Sequence, residues 1–519
     1  MARTIPDLLR ARAADAPSAR FVTADGADVS YGEAFERARD AAAALAWAGA
    51  GRGDRVALML PNGQAFLDLW FGTALLGAVV VPINTALRGE GLAHVLTHCA
   101  ASVLVVDERS AMACTAAVTT GDLPDRRFAF GGAAGWPDAQ EWLSGGHGRA
   151  AEPRLEPGEP ASILYTSGTT GPAKGVVNAH AAYVTTGRQF AFSTVRARPD
   201  DVLYTTLPLF HVNAQMLSVM GSLTAGVPLV LGGRFSASGF LDDVRRHGAT
   251  VFNYIGAMLS MIAAQPARAD DADTRLRLAV GGAAPAGLWQ AFERRYGLTI
   301  LEMYGLTETA TVCVGNPPED IRVGRIGKGL DWAEVDVRRA DGTSAADGED
   351  GEIVVRSDRP HVLFSCYFKD ELATRRAMHG GWFHTGDCGR RDEDGYLTFV
   401  SRLKDVIRRR GENISPVEIE RVLLTHPGVA ECAVVGVPSP LGEEDVMAVV
   451  VPDGDAPDPT ALVEHCRGAL AAFMVPRYVR LVDALPRTET ERVQKYRLRS
   501  PDAVTAAWDA EASEPRVPQ

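Results

Sequence analysis

The sequence predicts an α/β protein, with a large N-terminal domain of layered, mostly parallel sheets and helices and a small α+β C-terminal domain. Three observations predict it. At 519 residues the chain exceeds what a single hydrophobic core sustains, so it divides into at least two domains. Up to Pro285 helical and strand patterns alternate. Near residue 400 that rhythm gives way to short strands and isolated helices.

The elements follow in chain order. YGEAFERARDAAAALAWA (31–48) has helical periodicity and is followed by a strand, RVALML (55–60). A helix, AFLDLWFGTALLG (65–77), and a strand, VVVPI (79–83), come next. Further strands are expected at LVLGG (229–233), TVFNYIG (250–256) and RLAVGGAAP (277–285), with glycines suited to tight strand-to-loop turns. The segment 402–438 reads as a short strand, a glycine turn, a helix opened by Ser415-Pro416 and another strand; Pro at the first helical position is a start signal. The expected division is 1–401, a linker at 402–405, a small domain at 406–500 and a disordered tail at 501–519, where periodicity is lacking.

Bulk properties exclude several function classes. The composition is globular, with 46% hydrophobic and 23% charged residues, and the net charge of −12 offers no basic field for nucleic acid. The seven cysteines form no metal-binding spacing; an odd, scattered set suggests reduced thiols and a cytoplasmic protein. The N-terminal segment mixes charges through its apolar residues, unlike a secretory signal. The longest apolar run, Leu69 to Ile83, is 15 residues and contains Pro82, too short for a membrane span. Monomer and homodimer are both compatible with the sequence.

The strongest local signal runs from Tyr165 to Val176, reading YTSGTTGPAKGV. Thr166, Ser167, Thr169 and Thr170 supply hydroxyls, Gly168 and Gly171 leave backbone N–H groups free, and Lys174 adds a cation, together a cradle for polyphosphate. A Walker loop needs Gly before the Lys and Ser or Thr after it, whereas Ala173 and Gly175 flank Lys174. A P-loop kinase or ATPase is thereby excluded.

With further motifs in order, the chain resembles the adenylate-forming superfamily of acyl-CoA ligases, luciferases and peptide-synthetase adenylation domains over roughly residues 5–500. LPLFHVNAQ (207–215) matches the segment whose histidine, here His211, lies beside the acyl site. GGAAP (281–285), with Gly282, Ala283 and Ala284, matches the adenine-side loop. In MYGLTETA (303–310) the resemblance implies that Tyr304 packs on adenine beside Gly305, Thr307 contacts the α-phosphate and Glu308 binds Mg²⁺. It implies ribose contacts for Asp387 and Arg402, a hinge at Lys404, and a coenzyme A tunnel formed by Arg410, Gly411, Glu412 and Asn413. The acyl pocket is expected near His211, Gly256, Gly281 and Met303, with small residues leaving room for a bulky apolar acid. ATP or AMP, coenzyme A and Mg²⁺ are the implied cofactors, and the small domain is expected to rotate between two half-reactions.

One departure bears on activity. The family keeps a lysine in a segment resembling Pro-Thr-Gly-Lys-Val-Gln-Lys, where it contacts the substrate carboxylate and the α-phosphate. Here 486–495 reads PRTETERVQK, placing Glu491 at the glycine and Arg492 at the lysine. Lys495 matches the second lysine, and three extended residues, roughly 10 Å, separate it from the catalytic place. A guanidinium is a wide planar fork and an ammonium a compact point charge, so Arg492 is expected to handicap adenylation and leave thioester formation intact. The expected enzyme converts acyl-AMP and coenzyme A to acyl-CoA, and a separate adenylating enzyme becomes a partner. A complete ATP-dependent ligase, a stand-alone enzyme loading a carrier protein, a luciferase-like oxidative enzyme and an inactive nucleotide sensor remain as alternatives.

Overall fold

In a computed structural model of the chain, parallel strands dominate the first 330 or so residues, as the alternating pattern requires. The structure describes residues 2–118, 122–166, 172–409, 412–439, 444–487 and 493–513. The chain divides into two units, one of Met1–Val335 with Val354–His384 and the other of Asp336–Ile353 with Thr385–Gln519. The boundary therefore falls at 384/385, earlier than the expected 401. The reason is local: Asp387–Arg391 pairs with Leu397–Arg402 as an antiparallel hairpin, so 385–402 closes on itself.

The larger unit holds two sheets. A seven-stranded sheet runs Cys366–Tyr367, Lys174–Ala179, Pro160–Thr166, Val79–Pro82, Arg55–Met59, Val103–Asp107 and Arg126–Phe130. Helix Gln64–Leu75 precedes Val79–Pro82 and buries Trp70 and Phe71, so the apolar run that includes Pro82 is a buried helix and strand. A nine-stranded sheet runs Lys328–Gly329, Val314–Gly315, Thr299–Tyr304, Leu278–Gly282, Val251–Ile255, Leu203–Thr205, Leu229–Leu231, Arg20–Ala24 and Ala27–Ser30. Helix Tyr31–Trp47 begins with a capping box, Ser30 accepting from the Glu33 amide while Glu33 reaches back to the Ser30 amide.

The smaller unit carries a two-stranded hairpin, Ile407–Arg409 with Glu412–Ile414. Its four-stranded sheet orders Val429–Pro438, Glu444–Pro452, Tyr478–Leu481 and Trp508–Asp509. Helix Pro416–Leu423 starts on proline and buries Ile419 and Leu423. The tail expectation is overturned for residues 501–513. Pro501–Thr505 is helical, Trp508–Asp509 pairs antiparallel with Tyr478–Leu481, and Ala510–Ser513 is again helical. Periodicity could not reveal a two-residue edge strand, which is fixed by its partner and not by its own pattern. No helix among the described residues is long and apolar enough to cross a membrane, and all seven cysteines are free.

Candidate active site

Three neighbouring parallel strands, Val251–Ile255, Leu278–Gly282 and Thr299–Tyr304, end side by side in the larger unit. Ligands bind characteristically outside such carboxyl ends. There they deliver Gly256, Gly281 to Ala284, Met303 and Tyr304 to one edge. A Cβ on Gly256 would lie 1.9 Å from the Ala283 carbonyl oxygen, and one on Gly281 2.0 Å from that of Tyr254. These glycines are therefore demanded by backbone crowding. They open no space for an acyl group, contrary to the reason for expecting a roomy pocket. Met303 is buried beside them, and Ile255 is partly exposed.

The loop Gly281–Pro285 is held by a residue that the motifs did not single out. Glu302, buried in strand Thr299–Tyr304, accepts from the amides of Ala283 at 2.5 Å and Ala284 at 2.9 Å. It also accepts from the Tyr254 hydroxyl at 2.8 Å. Burial pushes its carboxyl up to about 7, against the lowering pull of the Ala284, Tyr254 and Ala283 bonds. Ala283 itself sits at φ +65°, a left-handed conformation that a β-carbon disfavours and that this clamp sustains. A glutamate on an otherwise apolar inward strand position was the available signal.

The segment after Tyr304 is similarly constrained. Thr307 and Glu308 lie in a short 3₁₀ turn, Thr307–Thr309, followed by two left-handed residues, Ala310 at φ +49° and Thr311 at φ +81°. A Cβ on Gly305 would approach the Thr311 carbonyl oxygen to 2.2 Å, so that position too requires glycine. The Tyr367 hydroxyl donates to Glu308 Oε1 at 2.8 Å, while Lys174 Nζ stands 4.8 Å from the centre of the Tyr367 ring. One tyrosine thus links Lys174 to the Glu308 carboxylate. Burial and the Glu308 charge push its phenol far above the ordinary value, so it remains a donor. In SCYFKD it reads as an ordinary strand aromatic. Thr166 pairs with Lys174 across the two strands Pro160–Thr166 and Lys174–Ala179.

His211 is half-buried, its ring 4.7 Å from that of Phe210. Its segment is pinned by Asn62, which donates to the carbonyls of Leu207 at 3.0 Å and Gly232 at 3.1 Å and accepts from the Leu209 amide at 2.7 Å. Gln215 donates to the Leu209 carbonyl at 2.6 Å and accepts from the buried Tyr183 hydroxyl at 2.6 Å.

In the smaller unit, Asp387 is buried and in register with Arg402, their charged groups 3.7 Å apart. Gly386 precedes it at φ +72°, its amide donating to Glu352 at 2.9 Å. Lys404 is exposed just after Arg402. Glu412 and Asn413 lie in the hairpin strand opposite Arg409 and Arg408. Ser167, Gly168, Thr169, Thr170, Gly171, Arg410, Gly411, Glu491 and Arg492 lie outside the described residues. Lys495, by contrast, is placed: its Nζ is 2.7 Å from Glu420 Oε1.

A family model described as AMP-binding enzyme matches residues 9–368, and the model of the AMP-binding enzyme C-terminal domain matches 418–492. The chain belongs to the AMP-binding enzyme family. Its type is that of the acid–thiol ligases that form acyl-CoA through an acyl-adenylate. The sulfoacetate–CoA ligase of Cupriavidus necator is 34% identical over 506 residues, covering 95% of this chain and 97% of its own. The long-chain-fatty-acid–CoA ligase FadD13 of Mycobacterium tuberculosis is 34% identical over 510 residues, covering 96% and 98%. Among solved structures, the anthranilate CoA ligase AuaEII in complex with anthranoyl-AMP superposes with a TM-score of 0.86 at 26% identity, over 96% of this chain and 97% of that one. The residues present have the chemistry such a nucleotide needs: a half-buried tyrosine at a strand end, and a lysine and a carboxylate joined through Tyr367.

Proposed function

We propose that this family member joins a carboxylic acid to coenzyme A and is biased to the second half-reaction, acyl-AMP plus coenzyme A to acyl-CoA plus AMP. The observation that carries the bias is Arg492, with Glu491 before it, at the place of the family's adenylating lysine. The contact between Lys495 and Glu420 supports it, because the neighbouring lysine is engaged elsewhere and supplies no substitute.

In adenylation a carboxylate oxygen attacks the α-phosphorus and pyrophosphate departs. Charge builds on phosphate oxygens, so aimed cations and donors matter more than a general base. Lys174 and Thr307 are the groups of this chain that would meet those oxygens, and Tyr367 orients Glu308. Magnesium, when bound, would neutralise phosphate charge and would take Glu308 together with phosphate oxygens as its hard ligands; among the described residues no three His, Cys, Asp or Glu gather into a cage. Asp387 and Arg402 are proposed for the ribose, and Tyr304 for the adenine face. Rotation about Lys404 would replace the Arg492 segment by the hairpin carrying Arg410, Gly411, Glu412 and Asn413, which lines the path of the thiol. The thiol sulfur then attacks the acyl carbon and AMP leaves. None of these later groups departs from the family pattern.

The acid is proposed to be apolar and bulky, on Ile255 and Met303 at the strand ends and on Phe210 beside His211, with no contribution from the glycines. The relatives act on acids as different as sulfoacetate and long-chain fatty acids, so a panel of acyl groups is the appropriate probe. The test supplies ATP, coenzyme A and each acid in one arm, and pre-made acyl-AMP with coenzyme A in the other. Turnover in the second arm alone, or far above the first, is expected. Equal turnover would support a complete ligase.

A further inference from the structure

Residues 508–511 lie beyond the family's C-terminal match, which ends at 492, yet they are built into the smaller unit. Trp508 packs against the core that includes Ile407 and Ile414 of the hairpin, and the Ala510 amide donates to the Arg477 carbonyl at 2.9 Å. Both carboxylate oxygens of Asp509 accept from Arg477, Oδ1 from Nε at 3.2 Å and Oδ2 from Nη2 at 3.1 Å. Glu511 stands 3.1 Å from Nη1 of the same guanidinium.

Arg477 hands this arrangement inward. Its Nη1 donates to Oδ2 of Asp445 at 3.0 Å, and Asp445 is 2% exposed. The other oxygen, Oδ1, accepts from Nε of Arg409 at 3.1 Å. Arg409 is itself buried and donates through Nη1 to the carbonyls of Phe473 at 3.0 Å and Val475 at 2.9 Å. Arg409 ends the first strand of the hairpin, directly before Arg410 and Gly411.

The balance of charge makes the outer carboxylates matter. Two guanidiniums share the buried Asp445, and each needs compensation where water is excluded. While Asp509 occupies the fork formed by Nε and Nη2 of Arg477, only Nη1 reaches Asp445, leaving Oδ1 to Arg409. Without Asp509 and Glu511, the Arg477 fork is released to engage both Asp445 oxygens in the bidentate geometry that guanidiniums favour. Arg409 would then lose its carboxylate and the hairpin its anchor.

We infer that the C-terminal segment 508–511 is a positioning element for the hairpin strand Ile407–Arg409, acting through Arg477, Asp445 and Arg409, and thereby for coenzyme A binding. The assignment of the hairpin to coenzyme A rests on the function proposed above. Asp509 is thus a positioning residue that touches no substrate.

The test compares wild type, a double variant Asp509→Asn/Glu511→Gln, a chain ending at Ala507, and Asp509→Glu. Coenzyme A binding is measured by calorimetry in saturating AMP, AMP binding is measured alone, and amide exchange is followed across 404–416. The double variant is expected to exchange faster in the hairpin and to bind coenzyme A about tenfold more weakly, the scale of a lost hydrogen bond to a charged group. AMP affinity should be unchanged, and Asp509→Glu should recover most of the loss. The truncation should behave as the double variant does. If coenzyme A affinity is unchanged, or if AMP and coenzyme A weaken equally, the inference is overturned. A wild type that binds no coenzyme A would contradict the proposed function, and faster hairpin exchange in the variants would still support the tether.

Discussion

The strand ends of the larger unit and the last forty residues of the smaller one pose opposite problems. In the larger unit the motif residues follow the family order in sequence, and the structure shows what holds several of them: Glu302 under the Ala283–Ala284 amides, Tyr367 between Lys174 and Glu308, Asn62 on the Leu207–Leu209 segment. In the smaller unit Arg492 is proposed to stand in the place of the family's adenylating lysine, while Lys495 is held by Glu420 and an added strand is tied into the sheet. Under the proposed bias, the difference teaches that nucleotide binding and the first chemical step are separable in one chain.

The comparison breaks most readily at the altered segment. Arg492→Lys combined with Glu491→Gly should raise ATP-dependent adenylation by about 10²–10³, the range for one well-aimed group at developing charge. The rate from acyl-AMP and coenzyme A should hardly change. Pyrophosphate release with acid and ATP reads the first effect, and a rise in both rates together would show that the altered segment is not what separates the halves.

A smaller effect sharpens the other side. Tyr367→Phe removes the donor to Glu308 and should weaken Mg-ATP binding about tenfold, as expected for a bond to a charged partner. AMP without magnesium should bind as in wild type. Calorimetry with the two nucleotides separates the outcomes.

The smallest predicted effect concerns pH. Glu302 carries a carboxyl raised by burial to about 7, so the folded state holds its proton more tightly than the unfolded chain does. Its contribution to stability is therefore greatest in acid and declines as pH rises from about 4.5 to about 7, by on the order of 1–3 kcal/mol. Glu302→Gln should flatten that decline, which unfolding midpoints at pH 5 and pH 8 would register.

Much of the fold was legible because it obeys local rules. Tyr31–Trp47 carries its own capping signal, and the parallel strands announce themselves as apolar runs ending in glycine. The family motifs were legible where polar residues are concentrated in a short segment, as around Lys174 and Glu308. What escaped was set by distant partners. Glu302, Tyr367 and Asn62 act on residues 18, 59 and 147 positions away, and no periodicity encodes such pairs. The unit boundary escaped because the hairpin Asp387–Arg402 closes on itself through pairing, and 508–513 escaped because an edge strand of two residues has no pattern of its own. The glycines misled in the opposite direction. Their small size suggested space for substrate, but at Gly256 and Gly281 that space is already filled by neighbouring carbonyl groups.

The most direct measurement is the ratio of the two half-reactions in the unaltered protein, taken on the same acyl group at saturating substrates. Acyl-CoA formation from acyl-AMP and coenzyme A should exceed pyrophosphate release from acid and ATP by about 10² or more. A ratio near unity would contradict the separation of the halves and make Arg492 an effective substitute for the family lysine.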